Sequence, residues 1–94
     1  MQLGMVKGQV VSTVRDSGLP NLTFLLVDIV DSKGKVLLGN QVAVDSVGAG
    51  EGEMVLLVQG SSARLILEKN APIDLSIVGI VDQVTAGKTT VYTK

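Results

Sequence analysis

The 94-residue chain has no cysteine, no histidine and no tryptophan, and just one Tyr and one Phe. Without a thiol it can form no disulfide, no thiolate zinc site and no cysteine nucleophile. Without an imidazole it lacks the commonest general base and the commonest metal ligand. Charge is scarce as well, at 18% of residues against ~25% in an ordinary soluble chain. Eight Lys and Arg nearly balance nine Asp and Glu, so no basic field exists for nucleic acid or an anionic membrane. No apolar run approaches the ~20 residues of a membrane helix. The opening Met1-Gln2-Leu3-Gly4-Met5-Val6-Lys7 lacks the charged-then-apolar order of a secretory signal. The expected setting is soluble and intracellular.

Branched aliphatic residues are what the chain has in quantity: 16 Val, 12 Leu and 5 Ile. Val and Ile suit a pleated, packed surface better than a helix, and the length fits one domain, residues 1–94. Strands are expected over residues 1–14, with Gly8 as a bulge, and over 24–30 (FLLVDIV). A turn at 31–35 leads into a short strand at 36–38, and a third strand covers 41–47 (QVAVDSV). A fourth runs over 54–58, a fifth over 76–84, and a return strand over 89–93 follows a turn at 85–88. Residues 61–67 (SSARLIL) form the one expected helix, with Ser61 or Ser62 as N-cap and Lys69-Asn70-Ala71-Pro72 as its stop. The fold class is mainly β: a small OB-like five-stranded barrel with one short helix.

Strand alternation carries a further message. Leu25, Val27 and Ile29 share one face of their strand, yet Phe24, Leu26 and Val30 occupy the other. Met54, Leu56 and Val58 oppose Val55 and Leu57 in the same manner. A sheet with one wet face alternates cleanly between apolar and polar. Strands apolar on both sides need cover on both sides, and one short helix is too small to supply it. Other copies of the same chain are the expected cover.

Two motifs invite a chemical reading. Gly48-Ala49-Gly50-Glu51-Gly52-Glu53 resembles a phosphate loop, but its spacing is G-x-G-x-G, a strand follows it, and two carboxylates would repel phosphate. A tight turn, or close packing of several backbones around a symmetry axis, accounts for it better. Arg64 would lie in the first turn of the helix, where a cation is mildly disfavoured. It is either a solvated surface residue or a bidentate partner of a carboxylate or of backbone carbonyls, within the subunit or across a subunit boundary. Asp28, Asp31, Asp45, Asp74 and Asp82 are scattered singly, as expected of groups that accept turn N–H bonds, pair with Lys and Arg, or sit in water. No catalytic residue, cofactor site or metal site is read from the chain, and stacking platforms for nucleic acid are lacking.

Taken in order, Val44-Asp45-Ser46-Val47-Gly48-Ala49-Gly50-Glu51-Gly52-Glu53, Gly60-Ser61-Ser62-Ala63-Arg64 and Ile73-Asp74-Leu75 with Val78-Gly79-Ile80-Val81-Asp82 resemble the bacterial microcompartment vertex family, of the EutN/CcmL type. Gly8-Gln9-Val10-Val11-Ser12-Thr13 matches its first strand, so the resemblance spans essentially the whole chain. It implies a non-enzymatic pentamer that closes the vertices of a polyhedral shell in the bacterial cytoplasm. It also implies hexameric and trimeric shell proteins as partners, and a metabolosome rather than a carboxysome. By residue, it places Gly48, Ala49 and Gly50 near an axial pore, and Ser61, Ser62 and Arg64 at a subunit contact. The rival expectations are a monomeric OB-like module for a small ligand or oligonucleotide, and a small carboxylate enzyme.

Overall fold

The computed structural model describes residues 1–13, 23–60 and 73–94. Seven strands follow in chain order: β1 (Gln2–Val10), β2 (Thr23–Val30), β3 (Val36–Asp45), β4 (Met54–Gln59), β5 (Leu75–Ile80), β6 (Gln83–Ala86) and β7 (Thr89–Thr93). The first five close a barrel in the order β1-β2-β3-β5-β4, with β4 returning to β1. Every pairing in it is antiparallel except β3 with β5. This is the expected OB-like barrel, and the expected helix at 61–67 lies outside the described residues.

The barrel is filled by one face of each strand. Val6, Leu25, Val27, Ile29, Ala43, Val55, Leu57, Leu75 and Ile77 form its core, each at most 5% exposed. Burying each larger side chain contributes about 1.5–3 kcal/mol. Gly4 also faces inward, opposite Ile29 and Val55. A Cβ there would come within 2.6 Å of Leu57 Cδ1, so glycine is what lets Leu57 fill the interior.

Three strand readings are corrected. The bulge in β1 is real, but Lys7 is the extra residue, because the register skips it between Val6 and Gly8. The skip reverses the parity of the strand: Val6 enters the core, whereas Val10 packs outside with Phe24, Val44 and Ile73. The pieces at 36–38 and 41–47 are one strand, not two. Gly39 and Asn40, which look like a turn, form a second bulge opposite Asp28 with Asn40 at φ 58°. Asp28 Oδ1 accepts the Asn40 N–H at 3.0 Å, and Lys7 Nζ donates to Asn40 Oδ1 at 3.3 Å. Lys7 Nζ also lies 3.7 Å from Asp28 Oδ2, so the two bulges are tied together across β2. Finally, the expected strand at 76–84 ends at Ile80, and a separate hairpin of β6 and β7 begins at Gln83.

That hairpin corrects part of the argument for outside cover. Val30, Met54 and Val81 are buried together outside the barrel, with Leu3, Met5, Leu56, Val84 and Tyr92 packed on them. The chain therefore covers one of its own outer faces. Val36, Leu37, Leu38 and Val42 remain 51%, 64%, 52% and 48% exposed.

Candidate functional site

The glycine-rich loop joins β3 to β4 at one end of the barrel. Gly48 and Gly52 sit at φ 84° and 86°, in the left-handed region that favours glycine. Asp45, at 7% exposure, ends β3 and folds its carboxylate over the loop. Its Oδ1 accepts the Val47 N–H at 3.0 Å and its Oδ2 the Ala49 N–H at 2.9 Å. Glu53 holds the far side, with Oε1 accepting the Gly50 N–H at 2.7 Å. Main-chain bonds from Val6 N to Glu53 O and from Gly52 N to Val6 O fasten the loop to β1. Ala49 packs down onto the barrel core.

The carboxylates decide what this loop can do. A phosphate cradle needs free backbone N–H groups converging on an anion. Here the N–H groups of Val47, Ala49 and Gly50 are already given to Asp45 and Glu53. A cavity of about 370 Å³ opens beside the loop, lined in part by Gly8, Gln9, Thr23 and Glu51. Among the described residues, no group of three acidic side chains is placed to hold a metal ion.

Glu53 extends the arrangement to the end of β7. Its Oε2 lies 2.7 Å from Lys94 Nζ, while the Lys94 N–H donates to Asp82 O. The Lys94 ammonium, then the Gly50 N–H, hold the Glu53 carboxyl below its ordinary value of 4.5. Glu53 in turn raises Lys94 above 10.5. The lowered carboxyl contributes stability above pH 4.5 that is lost as pH falls through its folded value. The raised amine contributes below pH 10.5, and that part is lost as pH rises through its folded value. Between those limits the latch is complete. Exchange at the Gly50 amide, corrected for intrinsic rate, should therefore speed up on acidification, and Glu53→Gln should flatten that acid limb. An acid limb unchanged in the variant would assign the effect to another group.

Gly48, Ala49 and Gly50 thus come together at the barrel end as one fixed loop, with Gly48 exposed and the other two half-buried. Ser61, Ser62 and Arg64 lie outside the described residues. Asp45 accepts turn N–H bonds, as the sequence led us to expect, but sequence reasoning missed that it spans two of them and that Glu53 holds the other side of the loop. The Asp45-Ser46-Val47 order, in which an Asp bonds a backbone N–H two residues on, was the available signal. It also missed a second cavity of about 310 Å³, lined mainly by Val10, Phe24, Val42, Val44, Ile73 and Asp74.

Comparison with known proteins adds identity to this geometry. Residues 1–82 match the family model described as ethanolamine utilisation protein EutN/carboxysome. The chain is 47% identical to the bacterial microcompartment shell vertex protein EutN of Salmonella typhimurium, across all of this chain and 96% of that protein. It is 38% identical to the carboxysome shell vertex protein CcmL of Gloeobacter violaceus, across all of this chain and 95% of that one. Among solved structures, it resembles the GrpN pentameric microcompartment shell protein of Rhodospirillum rubrum, with a TM-score of 0.80 and 43% identity. That match covers 92% of this chain and all of the other.

Proposed function

Since the chain belongs to the EutN/CcmL family, we propose that it is a structural shell protein whose pentamer caps the vertices of a bacterial microcompartment. The observation that carries this reading is its full-length likeness to shell vertex proteins, together with a pentameric relative of the same fold. The apolar residues left uncovered on β3 fit a subunit whose surface is completed by neighbours. Residues 1–94 act as one domain. The role is not enzymatic: Asp45 and Glu53 are committed to backbone and lysine partners, and closing a vertex needs no reacting group.

Higher identity to the EutN protein than to CcmL favours a metabolosome in the cytoplasm over a carboxysome. The partners are the hexameric and trimeric proteins that tile the facets. Five subunits would bring five copies of Gly48, Ala49 and Gly50 toward the axis, where small residues make a narrow opening. Ser61, Ser62 and Arg64 would take part in a subunit contact. Electron microscopy of cells lacking this protein tests the role. Open or elongated shells are expected, and normal closed polyhedra would contradict it.

A further inference from the structure

A five-fold ring constrains its subunits. In a two-fold dimer one patch pairs with its own copy, but in a ring of five each subunit meets its neighbours through two different patches. Such a subunit needs a ridge and a separate seat. The two ends of β3 offer one of each.

The ridge is Val36, Leu37 and Leu38. Consecutive strand residues point to opposite faces, so exposure of all three means that neither face is covered. Pairing explains this. β3 meets β5 only at Val44↔Ser76 and Asp45↔Ile77, so residues 36–43 have a strand partner on the β2 side alone among the described strands. An apolar strand with a free edge is a template for association. The seat is the 310 Å³ cavity at the other end of β3, with Phe24, Val44 and Ile73 buried behind it. Charge adds to this: exposed Lys33 and Lys35 stand just before the ridge, beside Asp31, and exposed Asp74 stands at the cavity rim.

The geometry points to a second copy of this chain as the occupant of that cavity. The 36–38 ridge of one subunit seats against Val10, Val42 and Ile73 of the next, with Lys33 and Lys35 turned toward Asp74. This contact rests on the pentamer reading and specifies which surfaces make the ring.

The absence of native cysteine gives a clean background for crosslinking. Leu37→Cys and Val42→Cys are introduced singly and together, and the assembled protein is treated with a short bismaleimide. The combined variant should give a ladder of covalent species up to five subunits on a denaturing gel, while each single variant stays monomeric. A five-subunit assembly of the combined variant without a ladder overturns the contact and leaves the pentamer standing. A ladder from Leu37→Cys alone also overturns it, because the ridge then meets its own copy. An unmodified chain that runs as a monomer overturns both readings. Independently, Leu37→Asp should abolish the five-subunit mass with the far-ultraviolet circular dichroism retained, and an intact pentamer would refute the ridge.

Discussion

Replacing Leu57 with alanine should lower the unfolding free energy by about 2–5 kcal/mol. That is a large part of the 5–15 kcal/mol typical of a folded protein. Leu57 is fully buried, between Gln2 of β1 and Ile77 of β5. Its Cδ1 occupies the space that a side chain on Gly4 would need. Truncation therefore opens a cavity that is walled on the β1 side by the bare backbone of Gly4. The same geometry predicts strong coupling. Gly4→Ala alone is destabilising because its Cβ meets Leu57. In the Leu57→Ala background that methyl partly refills the cavity, so the double variant should be no less stable than Leu57→Ala alone. Urea denaturation at fixed protein concentration checks both. Strictly additive losses would show that the two positions do not share the space.

Asp45→Ala should be the second most damaging change, costing about 2–4 kcal/mol for two hydrogen bonds to a charged acceptor. Asp45 is buried and both its oxygens are used. Val47 is exposed, so water can replace one bond, whereas Ala49 is half-buried and packed on the core. The loss should fall mainly on the Ala49 end of the loop. Asp45→Asn keeps one acceptor oxygen and should recover part of the stability. Amide exchange at Val47 and Ala49 is the direct readout. Unchanged protection at Ala49 in Asp45→Ala would mean that main-chain bonds to β1 hold the loop without the carboxylate.

The sequence makes the barrel legible because β2 and β4 are short aliphatic runs with turn residues at their ends. It hides the joins. Gly39 and Asn40 carry the composition of a turn, and only their register against Asp28 reveals a bulge inside one strand. The break after Ile80 is equally silent, since Val81 is as apolar as its neighbours. Its N–H still bonds Met54 O at the start of β4, and its side chain joins the cluster under β6 and β7, where the chain departs into the hairpin. The apolar second faces pointed correctly to missing cover, but two sources share the work. Met54 and Leu56 are covered by the chain's own hairpin, while Val36, Leu37 and Leu38 are not covered among the described residues. At the loop, composition marked Gly48, Ala49 and Gly50 as tight backbone. It could not show that Asp45 and Glu53 accept the N–H groups of Val47, Ala49 and Gly50, which adds a structural reason to the spacing and charge that already argued against phosphate binding.

That this barrel is one part of a five-membered ring is tested most directly by its mass in solution, measured by light scattering. A pentamer scatters at about 49 kDa, five times the 9.8 kDa of the chain. A stable 9.8 kDa species at micromolar concentration would contradict the ring, and with it the vertex role.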